Sequence, residues 1–272
     1  MLYLQSLFAS FFEENKMHNH VIKQNNMKAT WIWQHKNWPK FYWDDSKIIT
    51  LLSRVRMLQG KLLGELNTFG FELQNNASLE IITTDVLSSS EIEGIILDSA
   101  RVRSSVASRL GLSTQGLPSP DHYTEGVVQV MMDAIKNYNE ALTKERLCNW
   151  HAALFPTGRS GMYKISVAEY RQGEEPMQIV SGAMGHEKVH YEAPSSFDIP
   201  HEMDLFLEWI NKPCNIDPVI KAAIAHLWFV AIHPFDDGNG RLTRTITDML
   251  LSRSDGQRLR FYSMSAEIMR KR

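Results

Sequence analysis

One apolar stretch constrains the fold of this chain more than any other feature. The segment "PVIKAAIAHLWFVAI", residues 218–232, is hydrophobic on nearly every helical face, which is typical of a helix inside a core. Pro234 cannot continue that helix, so the helix should end at His233. A second helical pattern, "RLTRTITDMLLSR", begins a few residues later at Arg241. The sequence therefore predicts two helices joined by a short loop.

Helical periodicity recurs along most of the remaining chain. It predicts a helix over 44–70, with Asp45 or Ser46 as its cap and Gly70 as its stop, and another from about Ser78 that is interrupted at Gly94. Further helical patterns span 122–142, 143–155 and 199–212. Two alternating runs around a glycine turn, between Gly161 and Pro194, predict one β-hairpin. We therefore expect a mainly α fold that carries a single hairpin.

Composition shifts divide the chain into four parts. Residues 1–26 are mixed in polarity and rich in asparagine, so we expect a poorly ordered extension. Residues 27–110 begin with four tryptophans and continue helically, which predicts a small helical module with an aromatic packing platform. Residues 111–121, "GLSTQGLPSPD", indicate a linker, and residues 122–272 form the predicted core.

Charge and cysteine content exclude several classes of protein. The 29 Lys and Arg residues balance 31 Asp and Glu residues, so no global basic field indicates nucleic acid or an anionic membrane as a partner. The two cysteines, Cys148 and Cys214, fit neither a disulfide framework nor a zinc spacing. The N-terminus lacks the basic region and cleavage site of a signal peptide, and no run is long enough to span a membrane. These features predict a cytoplasmic globular protein.

The loop after the apolar helix concentrates chemistry in twelve residues, "HPFDDGNGRLTR", from His233 to Arg244. It delivers backbone N–H groups to a helix N-terminus, where the macrodipole favours an anion. Gly238 and Gly240 permit a close approach to the backbone. A "DGNG" segment alone is more often an ordinary tight turn, so the flanking residues decide its interpretation.

The flanking side chains suit a polyphosphate. Arg241 and Arg244 lie three residues apart, on one helical face, and can each bind a phosphate group. Asp237 can hold a magnesium ion that bridges the same phosphates. His233 can act as a general base near neutral pH. The residues therefore predict a nucleotide site with a base beside it.

The twelve-residue stretch resembles the signature of Fic-domain proteins, His-x-Phe-x-Asp/Glu-Gly-Asn-Gly-Arg-x-x-Arg, at every defined position. The resemblance implies a protein adenylyltransferase that moves AMP from ATP onto a Ser, Thr or Tyr hydroxyl of a target protein. It implies that His233 deprotonates the hydroxyl, that Asp237 binds Mg²⁺, and that Asn239 with the loop amides holds the α-phosphate. Arg241 and Arg244 would then hold the outer phosphates, while Phe235 anchors the nucleotide loop by pointing into the core.

Two upstream features extend this resemblance. The segment "SSEIEG" resembles the family's inhibitory motif, Ser/Thr-x-x-x-Glu-Gly/Asn, and implies that Glu93, steadied by Ser89, pairs with Arg244. The inhibitory helix would then span about 78–94. The hairpin resembles the family's target-docking flap, whose residues here are Ile179, Val180, Ser181 and Gly182. The core of this family continues beyond the point where "SMSAEIMRKR" ends, which implies a truncated core whose adenine pocket is incomplete.

Three functional alternatives remain open at this stage. The first is the transferase itself, with self-modification and homodimerisation left open. The second is a hydrolase that removes AMP from modified proteins, in which Glu93 orients a water molecule. The third is a regulator that binds nucleotide without catalysis, although such a protein has no need of His233 as a base.

Overall fold

The computed structural model describes residues 31–182, 186 and 188–271. Within these residues the chain is mainly helical, as predicted, and its hydrophobic core is built almost entirely from helices. The helices are α1 (Asp45–Leu66), α2 (Phe71–Ile92), α3 (Ser99–Leu110), α4 (His122–Lys136), α5 (Lys144–Leu154), α6 (Ile199–Asn211), α7 (Pro218–Ile232), α8 (Asn239–Asp255) and α9 (Met264–Arg270). The predicted extension, residues 1–26, lies outside the described residues.

Side-chain caps explain where several helices begin. Asp44, rather than Asp45 or Ser46, caps α1, because its carboxylate accepts from the Ser46 amide at 2.9 Å. Thr143 caps α5 as its position before an acidic turn indicates, accepting from the Arg146 amide at 3.1 Å. Two predicted boundaries were wrong. Helix α1 ends at Leu66 rather than at Gly70, and Gly70 is instead the N-cap residue of α2, which begins at Phe71 rather than near Ser78.

The predicted pair of helices around the loop forms the centre of the core. Helix α7 is buried along most of its length and packs against α8, whose residues from Arg241 to Ser252 are all buried. The sequence identifies α7 as a core helix because it is apolar all round. It cannot identify α8 in the same way, because α8 buries threonines and charged residues that need partners from other elements.

The tryptophan-rich segment forms an aromatic platform, as predicted. The Trp38 ring lies 5.6 Å from Phe41 and 6.0 Å from Trp228 of α7, centroid to centroid, in edge-to-face arrangements. The Trp33 indole donates to the Glu192 carbonyl at 2.7 Å. This segment therefore packs on the core rather than standing apart from it.

Two short antiparallel hairpins accompany the helices. The predicted hairpin pairs β3 (Gln178–Ser181) with β4 (Lys188–Glu192), with a register shift between Ile179 and Val180. A second pair, β1 (Arg159–Ser160) with β2 (Tyr163–Lys164), was not predicted, because two-residue strands leave no alternating pattern in the sequence.

The segment between α3 and α4 has no helix or strand, where the linker was predicted. Cys148 and Cys214 are both free thiols, as their spacing indicates. In the described part of the chain, no helix combines the length and apolarity that crossing a bilayer requires.

Candidate active site

The chain turns sharply at the end of α7. His233 takes a left-handed backbone conformation, with φ 52° and ψ 60°, and Pro234 follows it. Gly238, with φ 79°, then leads directly into α8. A Cβ at Gly238 would lie 2.8 Å from Cε2 of Phe155, so this position needs glycine for space as well as for its backbone conformation. The loop therefore presents His233 beside the N-terminal turn of α8.

Buried side chains hold this loop in shape. Phe235 is fully buried, as predicted, and its ring stacks on His151 with centroids 4.3 Å apart. The Asn239 side chain accepts from the Phe235 amide at 3.0 Å and donates to the Phe235 carbonyl at 2.8 Å. The Asn239 side chain therefore closes the loop, a role that the local sequence does not indicate.

Both arginines of the loop are buried and contact other side chains. The Arg241 guanidinium stacks over the Phe155 ring at 4.7 Å and donates to the Tyr123 hydroxyl at 2.7 Å. Its Nε atom is buried without a hydrogen-bond partner among the described groups. Arg244 is 6% exposed, and burial lowers the pKa of its guanidinium. Two cations thus lie along one face of α8.

The end of α2 lies against Arg244. Oε1 of Glu93 is 2.7 Å from Nη2 of Arg244. Ser89 adds two contacts, since its hydroxyl accepts from Nε at 2.8 Å and its carbonyl accepts from Nη2 at 2.9 Å. A Cβ at Gly240 would collide with the Glu93 carboxylate, so glycine there lets the two elements approach. The structure thus places two residues of the resembled inhibitory motif, Ser89 and Glu93, in contact with Arg244.

The electrostatics at His233 favour a neutral imidazole. Burial is the main cause that lowers the pKa of His233, and the Arg171 charge acts in the same direction. The Val230 carbonyl, which lies 3.3 Å from Nδ1, and the carboxylates of Asp237 and Glu93 act in the opposite direction. A neutral ring can accept a proton, which is the state that a general base needs.

Asp237 offers a carboxylate beside this base. Its side chain accepts hydrogen bonds from the Ser160 hydroxyl and from the Gly238 amide. Among the described residues, no group of three or more His, Cys, Asp or Glu side chains is arranged to hold a metal ion by itself. Mg²⁺ that binds together with a polyphosphate needs only one or two protein carboxylates, so a single aspartate fits that ion.

Several residues that contact the loop have no signal in the sequence, among them Tyr123, His151, Phe155, Ser160 and Arg171. Each comes from an element far from the loop in sequence, and none belongs to a local motif. The Arg171 guanidinium donates to the His233 carbonyl at 2.8 Å, and Nε2 of His151 lies 3.2 Å from the Asp237 carbonyl. Only the tertiary contacts identify them.

The predicted flap residues lie on one exposed strand. Ile179, Val180 and Ser181 belong to β3, and Gly182 follows it with φ 114°. Ile179 and Val180 are 44% and 47% exposed, although both are apolar. The strand pairs on one side only, with β4, so its other edge is open within the described residues.

Family models match two parts of the chain. Residues 141–251, which contain the whole loop described above, match the model of the Fic/DOC family. The chain carries a Fic domain. Residues 31–112, which include the tryptophan platform and α2, match a domain of unknown function, DUF4172.

Relatives of this Fic-domain protein match it over limited lengths. Protein adenylyltransferase fic-1 of Caenorhabditis elegans is 44% identical over 50 residues, which are 18% of this chain and 10% of that protein. Protein adenylyltransferase Fic of Aedes aegypti is 26% identical over 167 residues, 60% of this chain and 30% of that protein. The matches therefore span less than a third of either relative's length.

A solved structure supports the fold over a longer span. A Fic domain containing signaling protein from Bacteroides thetaiotaomicron is 18% identical and superposes with a TM-score of 0.54, covering 72% of each chain. At this level of identity the likeness concerns the fold alone. It confirms the predicted mainly α, Fic-type architecture.

Proposed function

We propose that this Fic-domain protein transfers AMP from ATP to a hydroxyl side chain of a target protein. The observation that carries the proposal is the arrangement around one helix N-terminus, with His233 on the preceding turn and Asp237 in the loop. Arg241 and Arg244 lie on the first turns of the same helix. The names of the relatives, protein adenylyltransferases, agree with this reaction but cover only part of their lengths.

The reaction follows from placing a triphosphate at this N-terminus. The target hydroxyl oxygen attacks the α-phosphorus, His233 takes the hydroxyl proton, and the bond to the pyrophosphate oxygen breaks. Pyrophosphate leaves and AMP remains on the target through a new P–O bond. Transfers of this type depend mainly on positioning and on neutralising charge, so fixed cations and a held base are the contributions expected of the protein.

The phosphate groups have defined partners in this proposal. Arg241 and Arg244 bind the outer phosphates, and the loop amides hold the α-phosphate. Asp237 is the residue that would hold Mg²⁺, which would supply neutralisation of phosphate charge. The unsatisfied Nε of Arg241 is consistent with a ligand, because buried donors normally find an acceptor.

We further propose that Glu93 inhibits the enzyme. The Glu93 carboxylate occupies the Arg244 guanidinium, which the proposal assigns to an outer phosphate. ATP that binds without this contact would leave its α-phosphorus turned away from the attack line. The inhibitory segment belongs to α2, so the part of the chain that matches DUF4172 would regulate the Fic domain.

The partner in this proposal is a protein segment that docks on β3. An extended target segment can pair with the open edge of β3 through main-chain hydrogen bonds, while the exposed Ile179 and Val180 contact its side chains. Self-modification and homodimerisation stay predictions, as does the cytoplasmic location.

The test uses two ATP preparations, one labelled at the α-phosphate and one at the γ-phosphate. The Glu93→Gly variant, incubated with Mg²⁺ and a cell lysate, should transfer the α label to protein and not the γ label. The wild-type protein, which keeps the Glu93 carboxylate that the hydrolase alternative requires, should be incubated with protein that already carries AMP. Release of AMP without any transfer from ATP would favour the hydrolase, and ATP binding without either reaction would favour the regulator.

A further inference from the structure

A segment that no sequence motif singles out runs beside the active-site loop. This segment, Ser166–Arg171, lies between β2 and β3. The Ser166 amide donates to the Asp236 carboxylate at 2.8 Å, and the Arg171 amide donates to the Pro234 carbonyl at 2.8 Å. The segment is thus attached to both ends of the turn that follows His233.

Within this segment, the Arg171 side chain donates hydrogen bonds to two other parts of the chain. Its side chain is buried, with the residue 6% exposed, and Nε donates to the His233 carbonyl at 2.8 Å. Nη2 donates to the Pro194 carbonyl. Both acceptors are main-chain carbonyls, so the guanidinium fixes backbone positions with its rigid planar fork.

The backbone of His233 needs such support. Among the described residues, only Ala168 and His233 adopt a positive φ without being glycine, at 61° and 52°. This conformation is unfavourable for a residue with a Cβ and persists where neighbouring groups hold it. Ala168 is held through its amide, which donates to Nδ1 of His151 at 3.0 Å, and His233 is held through its carbonyl by Arg171.

The second acceptor, Pro194, belongs to the root of the flap. Pro194 follows β4 by two residues, and the Ala193 amide donates to the Met177 carbonyl at 3.0 Å, which closes the base of the hairpin. One guanidinium therefore contacts both the residue that carries the base and the end of the strand pair that presents the target.

We propose that Arg171 is a positioning residue that fixes the His233 imidazole and the root of the β3–β4 flap in one frame. This inference rests on the proposed function, in which the target hydroxyl has to be aligned with the His233 imidazole. A target strand that adds to the flap is placed relative to His233 only if flap and base share a rigid connection. A shift of about 1 Å at the reacting atoms costs about 100-fold in rate.

The experiment compares Arg171→Met with Arg171→Lys in the Glu93→Gly background. The matched control is Arg253→Met, because Arg253 also donates to main-chain carbonyls, those of Tyr138 at 2.9 Å and Glu140 at 3.2 Å, away from the loop. Three quantities are measured for each variant: the rate of transfer of α-phosphate label to protein, the Kd for ATP, and the φ angle of His233 in a crystal structure.

The proposal predicts a specific pattern. Arg171→Met should lower the transfer rate at saturating ATP by about 100-fold, with the Kd for ATP changed less than about twofold, since the base moves but the phosphate ligands do not. The φ angle of His233 should leave the left-handed region. Arg171→Lys, which can hold only one of the two carbonyls, should recover part of the rate and lose about tenfold.

Two results would overturn the proposal: a His233 backbone that stays left-handed in Arg171→Met, or a loss of rate no larger than that of Arg253→Met. If Arg171→Met does not fold, Arg171→Lys provides the same two comparisons. If the Glu93→Gly parent labels no protein, the proposed function fails instead, and the crystal structures alone still decide whether Arg171 holds His233.

Discussion

The Glu93 carboxylate and the Arg244 guanidinium form a direct ion pair, with Oε1 and Nη2 2.7 Å apart. The Arg244 side chain is 8% exposed, whereas that of Glu93 is 34% exposed, so the pair lies at the rim of the buried loop. In the proposed function this guanidinium binds an outer phosphate of ATP. The Glu93 carboxylate and that phosphate would then compete for one cation.

Glu93→Gly should raise transfer of α-phosphate label to protein. The released guanidinium can then bind an outer phosphate, and a coupling of about 1–3 kcal/mol corresponds to a gain of about 5- to 150-fold. The measurement is the initial rate of labelling at saturating ATP and Mg²⁺. Glu91→Gly is the matched control, since it places a glycine in the same exposed turn of α2 without touching Arg244. Equal labelling by Glu93→Gly and the wild type would refute inhibition by Glu93.

Adding Arg244→Ala to Glu93→Gly should remove that gain. The double variant has neither the inhibitory carboxylate nor the cation that it occupies, so the two changes should not be additive. A full cycle of both single variants and the double variant, measured for labelling rate and for thermal stability, separates this coupling from a loss of folding. A double variant that labels as fast as Glu93→Gly would show that Arg244 has no part in the activated state.

His233→Ala should abolish label transfer and leave ATP binding nearly unchanged. The base is needed only when the target hydroxyl attacks, whereas the phosphate contacts already form in the ground state. Calorimetric titration with ATP and the labelling assay, both in the Glu93→Gly background, measure the two steps separately. Retained transfer would show that another group accepts the proton.

Asp237→Ala should weaken nucleotide binding in the presence of Mg²⁺ and bring it to the level seen with EDTA. The carboxylate is the proposed ligand of Mg²⁺, which would neutralise phosphate charge when the nucleotide binds. Ser160→Ala is the comparison, because it removes only the hydroxyl that donates to Asp237. Mg²⁺-dependent binding that survives Asp237→Ala unchanged would rule out this residue as the metal ligand.

Acidification should destabilise the fold through His226. Burial, assisted by the Arg244 charge, lowers the pKa of His226 from 6.5 to about 3, and Nδ1 lies 3.0 Å from the Thr247 hydroxyl. The folded state therefore prefers the neutral ring, so stability is fully present above pH 6.5 and falls as the pH drops toward 3. The residue keeps part of its surface accessible, so the loss at pH 5 should be at most about 2 kcal/mol.

Urea unfolding at pH 7.5 and pH 5 measures this effect. His226→Gln should retain a hydrogen bond to Thr247 and reduce the difference in unfolding free energy between the two pH values. Substituting the exposed His201 by Gln should leave that difference as it is in the wild type. An unchanged difference in His226→Gln would mean that other groups dominate the acid response.

The sequence by itself determined the helical architecture and the set of polar side chains that the loop carries. Helix α7 can be predicted from the sequence because a helix that is apolar on every face has to be buried. Its end can be predicted because proline cannot continue a helix. The residues of the loop can be identified from the sequence because its glycines, aspartate and arginines lie close together along the chain, where local backbone geometry fixes their spacing. Phe235 follows the same logic, since an apolar residue inside a polar loop has to turn toward the core.

Only the tertiary structure decided which distant groups hold that loop. Arg171 and His151 carry no local signal, because a lone arginine or histidine fits a surface as well as a buried contact. Their contacts form because α5, which carries His151, and the chain between β2 and β3, which carries Arg171, both pack against the turn after α7, where main-chain carbonyls need donors. Hydrophobic periodicity specifies which face of an element is buried, but it does not specify which polar groups meet once elements far apart in sequence have packed together.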